Sequence, residues 1–136
     1  MTYNNTSQDP NTTARSITFV ANDGADNSNT ATTTVTVVSV NDAPVLDLDA
    51  DNSAAPGADF ANTFTAEFEV AVAAADSDAT ISDVDSGTLS SLTVTISNLL
   101  DGTAELLDAD ISGTSIAKSY DSGTGILTLS GADSVT

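Results

Sequence analysis

Cysteine, histidine and tryptophan are absent from this chain, and only two of its 136 residues, Arg15 and Lys118, are basic. Without cysteine there is no disulfide framework and no thiolate metal site. Without histidine the chain lacks the commonest general base and the commonest ligand for zinc or copper. Aromatic residues make up 4%, four Phe and two Tyr, so any core must be built from Val, Ile, Leu, Ala and Thr methyl groups. Those residues favour strands over helices. Twenty acidic residues against two basic ones give a net charge of -18. Such a surface repels phosphate backbones and anionic membranes, which excludes nucleic acid as a partner. No apolar run reaches membrane-spanning length, and the opening Met1-Thr2-Tyr3-Asn4-Asn5-Thr6 has no charged or apolar region of a signal peptide. Membrane insertion is not expected, and an export signal would lie outside this segment. Asp83 and Asp85 are a carboxylate pair of the kind glycosidases use. With no Trp platform, no His and no cleft-building insertion, the chain is not expected to be an enzyme.

What remains is oxygen chemistry. Carboxylate, carbonyl and amide oxygens are the ligand set of calcium, a hard cation that takes about six to eight of them. The acids are unevenly spread. Residues 1–43 hold four Asp against Arg15, net -3, and residues 44–136 hold sixteen acids against Lys118, net -15. Several stand in Asn-Asp or Asp-x-Asp pairs where strands end, notably Asn41-Asp42 and Asp83-Val84-Asp85. Asp47 and Asp49 alternate with Val45, Leu46 and Leu48 and read as the outer face of a short strand; Asp76 and Asp78 read as a solvated loop, with auxiliary metal ligands as the alternative.

Alternation of apolar and polar residues predicts strands over 16–20, 30–40, 45–49, 60–72, 89–97, 103–107, 115–120 and 126–129. Val37-Val38 breaks parity and predicts a bulge. The polar stretch 22–29 and the turn Asp121-Ser122-Gly123-Thr124-Gly125 predict hairpin connections. No segment carries a helical period. The chain is therefore all-β, with strands spaced as in a β-sandwich. The run Val37-Val38-Ser39-Val40-Asn41-Asp42-Ala43-Pro44 reads as a seam between two modules, stiffened by Pro44.

Three stretches together resemble the cadherin-like repeats of very large bacterial surface adhesins. Ser39-Val40-Asn41-Asp42-Ala43-Pro44 is similar to the inter-repeat linker. Ile81-Ser82-Asp83-Val84-Asp85-Ser86-Gly87, running into Leu92-Thr93-Val94-Thr95-Ile96, is similar to the Asp-x-Asp loop and the strand after it. Phe19-Val20-Ala21-Asn22-Asp23-Gly24, running through Thr34-Val35-Thr36-Val37, is similar to the last hairpin, and 119–131 to a further stretch.

The resemblance implies an immunoglobulin/cadherin-like Greek-key β-sandwich. Residues 1–43 would be the C-terminal part of one repeat plus its linker, and 44–136 the N-terminal part of the next; the alternative is a single permuted sandwich over 1–136. It implies Ca2+ held by Asn41, Asp42, Asp83, Asp85, Asp23 and a glutamate, Glu69 or Glu67. The function it implies is a calcium-binding structural spacer that stiffens a tandem array in an extracellular, cell-surface adhesin serving cell adhesion or biofilm formation. The partners would be neighbouring repeats of the same chain, a domain-swapped second copy, and a surface glycan or protein reached through other domains. The alternative is a carbohydrate- or ligand-binding β-sandwich module of a secreted protein, which the shortage of aromatic platforms disfavours.

Overall fold

In the computed structural model, which describes residues 1–66 and 70–134, the chain divides into two compact units, Met1–Asp42 and Ala43–Thr136. It is all-β, 30% strand and 3% helical, in three small sheets. The Thr/Val-rich composition has its expected consequence, since β-branched side chains suit an extended backbone.

The first unit holds one antiparallel hairpin. Strand β1 (Arg15–Phe19) pairs with β2 (Ala31–Val35), from Arg15 opposite Val35 to Phe19 opposite Ala31. Ile17, Phe19 and Val35 are half-buried, while the Thr residues between them are exposed. The connecting loop is drawn together by an Asn22–Asn27 bridge and by the Ser28 N–H donating to the Ala21 carbonyl at 2.7 Å. The strand expected over 30–40 stops at Val35 because its partner begins at Arg15. Val37 and Val38 therefore lie beyond the ladder, and their adjacency marks no bulge.

The second unit holds two sheets. Strand β3 (Val45–Asp47) pairs with β4 (Thr80–Ser82) as a three-residue ribbon. Strands β5 (Thr88–Thr95), β6 (Ala117–Asp121) and β7 (Ile126–Ser134) form an antiparallel sheet with β7 central. The irregularity in this sheet falls in β5, between Leu89 and Ser91. The β6–β7 turn closes on Asp121, whose carbonyl accepts from Gly125 N–H at 2.8 Å and whose Oδ1 accepts from Gly123 N–H at 2.9 Å. Gly125 takes φ 69°, a left-handed conformation that costs glycine nothing.

Leu127, 3% exposed, is the one fully buried apolar side chain among the described residues. Ile81 of β4 meets Leu89, Leu92, Ile116 and Leu129 around a groove of about 170 Å³. Burial this thin leaves polar contacts to organise the loops. Tyr120 donates its hydroxyl to the Glu105 carbonyl at 2.7 Å, and the Glu105 carboxylate accepts the Leu100 and Asp101 N–H groups. Lys118 ties Asp108 and the Ala109 carbonyl to β6.

Two expected strands are corrected. The described residues of 60–72 form no strand, and Phe64 and Val70 are exposed. Alternation specifies a face, but a strand exists by its ladder partner, and none lies alongside among the described residues. Residues 103–107 likewise begin as a 3-10 turn, Gly102–Ala104, and continue without pairing.

Candidate metal centre

The ribbon of β3 and β4 positions the site. Beyond Asp47 the chain leaves the ladder because the Leu48 backbone is engaged on both sides: its N–H donates to the Ala58 carbonyl at 3.0 Å, and its carbonyl accepts from Asp76 N–H at 2.8 Å. Residues 49–58 consequently fold into a loop beside 76–79. Asn52 adopts φ 57°, a left-handed geometry that Asn tolerates. Its Oδ1 accepts the Gly57 N–H at 2.6 Å, and its own N–H donates to the Asp49 carbonyl at 2.9 Å.

This loop wraps the carboxylate of Asp49. Oδ1 accepts the Ser53 N–H at 2.9 Å and the Ser53 hydroxyl at 3.2 Å. Oδ2 accepts the N–H groups of Ala54 at 2.7 Å and Ala55 at 2.8 Å. Asp49 is completely buried, yet its pKa is held down to about 2. The N–H of Ala55 is the largest cause, with those of Ala54 and Ser53 adding to it, and together they outweigh the opposing cost of burial. Asp49 is thus an anion in the folded protein across all ordinary pH.

Two further carboxylates converge on it. Asp51 Oδ1 accepts the Ser53 N–H at 2.9 Å, and Asp78 Oδ2 accepts the Asp51 N–H at 2.9 Å across 27 residues of sequence. Asp49, Asp51 and Asp78 each offer an oxygen within 4.8 Å of the others, one residue buried, one exposed and one half-buried. Asp78 Oδ1 has less than 1 Å² of exposed surface and no hydrogen-bond partner. Neither basic side chain compensates the cluster. Arg15 donates to the carbonyls of Thr13 and Asn11, and Lys118 is held by Asp108. The cluster could hold a metal ion, and an all-oxygen donor set suits a hard divalent cation.

Sequence reasoning offered Asp78 only as an alternative auxiliary ligand and missed Asp49, Asp51 and the grouping. It placed Asp47 and Asp49 on an outer strand face, whereas Val45 and Leu46 are exposed, Asp47 is half-buried and Asp49 lies past the strand's end with no exposure. The available signal was Asp47-x-Asp49-x-Asp51 followed by Asn52. Acids at alternate positions before a residue that accepts left-handed geometry are the opening half of a calcium-loop pattern.

The residues singled out from sequence fall elsewhere. Asp83 and Asp85 are brought together in the turn after β4, where Asp83 Oδ1 accepts the N–H groups of Asp85 at 3.1 Å and Ser86 at 3.0 Å. The Asp85 N–H is the main cause of a lowered Asp83 pKa. Asp23 caps its own hairpin loop, its Oδ1 accepting the N–H groups of Ala25 and Asp26 at 3.0 Å. The Asp26 N–H leads the causes that lower its pKa. Asn41 donates its side-chain amide to the Asp42 carbonyl. Asp23, Asn41 and Asp42 belong to the unit Met1–Asp42, and Asp83 and Asp85 to the other. Glu69 and its alternative Glu67 lie outside the described residues.

Among the described residues no helix is long and apolar enough to cross a membrane. Comparison with known proteins finds no matching family model, no matching curated protein and no matching solved structure.

Proposed function

We propose that this chain is a calcium-binding structural module. The observation that carries the reading is the Asp49–Asp51–Asp78 cluster with its solvent-shielded, partnerless Asp78 Oδ1. A carboxylate oxygen removed from water without a donor is costly, and a cation relieves that cost while neutralising its two anionic neighbours. Calcium is favoured over magnesium because the ligands come from irregular loops, and calcium accepts flexible geometry and a high oxygen count. The remaining oxygens would come from backbone carbonyls and water.

The larger role is a stiffening spacer in a tandem array of Greek-key, cadherin-like sandwiches on an extracellular bacterial adhesin. This rests on the linker, the Asp-x-Asp loop and the hairpin noted in the sequence, and on the all-β character of the chain. In that role Asn41, Asp42, Asp83, Asp85, Asp23 and Glu69 would supply further calcium ligands, and neighbouring repeats would be the partners.

Calorimetric titration of the intact chain with calcium, then magnesium, tests the reading. Saturable calcium binding that loses one equivalent in Asp78→Asn supports it. An absence of binding, or the same isotherm in the variant, overturns it.

A further inference from the structure

We infer that an ion in the Asp49–Asp51–Asp78 cluster acts as a clasp on the β3–β4 ribbon and, through it, fixes the Asp83–Ser86 turn at the ribbon's opposite end. This rests on the calcium reading above, but concerns what the ion controls.

The ribbon is weak by itself. It has three residue pairs, Val45 with Ser82, Leu46 with Ile81 and Asp47 with Thr80. An isolated two-stranded ribbon is marginal in water, and here the segment 48–79 must be closed to bring the strands together. Val45 and Leu46 are exposed, so apolar burial by β3 adds little. The cluster sits where this closure is made. Asp49 and Asp51 follow β3 directly, and Asp78 stands two residues before β4. Two backbone-directed links already join the sides there, Asp51 N–H to Asp78 Oδ2 at 2.9 Å and Asp76 N–H to the Leu48 carbonyl at 2.8 Å. Without a cation, three carboxylates within 4.8 Å press the two sides apart at that point. With one, the same carboxylates become a cross-link.

The effect passes along the ribbon. Because Val45 pairs with Ser82, the residues next off this end are Pro44 and Asp83. Asp83 organises its turn by accepting the Asp85 and Ser86 N–H groups, and Ile81 of the same strand lines the apolar groove against β5 and β7. A closed ribbon therefore fixes where β4 ends and where the Asp83 turn begins. An open one releases both.

Residue-resolved amide hydrogen exchange of the intact chain, run beside calcium calorimetry, tests this. If the ion binds only the closed ribbon, calcium at a hundredfold over Kd should slow exchange of the ladder amides in 45–47 and 80–82 by up to about a hundredfold. The amides of Asp85 and Ser86 should slow with them, and neither group should respond in Asp78→Asn. Asp51→Asn, at an exposed position, gives the same comparison should the first variant fold poorly. Calorimetric saturation with unchanged ladder exchange would overturn the clasp and leave the calcium site standing. Slowing of the ladder but not of Asp85 and Ser86 would overturn the transmission to the turn. No calorimetric binding would overturn the site, and the clasp with it.

Discussion

Replacing Asp78 by Asn should have opposite effects with and without calcium, and that sign change separates a metal ligand from an ordinary loop carboxylate. An Asn oxygen can keep the bond from the Asp51 N–H that Asp78 Oδ2 now accepts. The substitution removes one of three carboxylates whose oxygens lie within 4.8 Å of one another and puts an amide donor in place of the partnerless Oδ1. In chelator the variant therefore loses a like-charge repulsion, and should be more stable than the parent by about 0.5–1 kcal/mol, the scale of one exposed charge interaction. With calcium at a hundredfold over the parent's Kd, the parent gains about 2.7 kcal/mol, whereas a variant binding a hundredfold more weakly gains only about 0.4 kcal/mol. For a unit the size of Ala43–Thr136, each kcal/mol moves Tm by about 4–8 °C. The parent should thus shift by about 10–20 °C and overtake the variant, which barely moves. The chain has two tyrosines and no tryptophan, so in a Tyr3→Phe background the fluorescence of half-buried Tyr120 reports this unit directly. A variant that is less stable in chelator and shifts with calcium as far as the parent would refute the reasoning.

Gly131 has φ 131°, and a Cβ there would stand 2.9 Å from the Ser115 carbonyl oxygen and 3.3 Å from Ile116 Cα. Gly131→Ala should cost about 1–3 kcal/mol in backbone strain plus the displacement of β6, while Gly113→Ala, at φ 80° with nothing within 4 Å, should cost only the strain; equal urea midpoints would show that the close approach is unimportant. Acid should destabilise the fold over a defined window. Asp49 titrates at about 2 in the folded chain against 3.8 unperturbed, so its contribution is complete above 3.8 and is lost as pH falls towards 2. Asp83 and Asp121, lowered chiefly by the N–H groups of Asp85 and Gly123, act in the same direction. Urea midpoints in about 1 M salt, where surface repulsion is screened, should fall across that interval, and a flat profile would contradict the assignment. Asp83→Asn combined with Asp85→Asn tests the pair that the resemblance implies: calorimetry should show one calcium equivalent lost and the cluster's equivalent retained, and an unchanged stoichiometry would remove the pair from the ligand set.

The legible parts of the fold were those whose determinants are local. The 22–29 loop and the Asp121–Gly125 turn are written in residues that tolerate tight or left-handed backbone, and each closes a hairpin whose strands are adjacent in sequence. Leu92 and Val94 alternate with Thr93 and Thr95 along β5, which faces the apolar groove on one side and solvent on the other. The illegible parts depend on distant partners. Residues 60–66 and 70–72 carry alternation as convincing as that of β5 but pair with no strand among the described residues, whereas β4 is three residues long and exists because β3 pairs with it. The candidate site was hidden for the same reason. Strand parity assigns Asp47 and Asp49 to solvent, and it fails because Leu48 bonds to Ala58 and Asp76 and the strand ends at Asp47, two residues before Asp49. Once the ladder stops, the acid spacing follows a loop's geometry, not a strand's. In a chain of charge -18, an Asp series at alternate positions is informative when it ends at a residue like Asn52, since there the backbone can turn back on its own carboxylates. That turn gathers carboxylates that would otherwise repel, and the proposed cation site rests on that gathering.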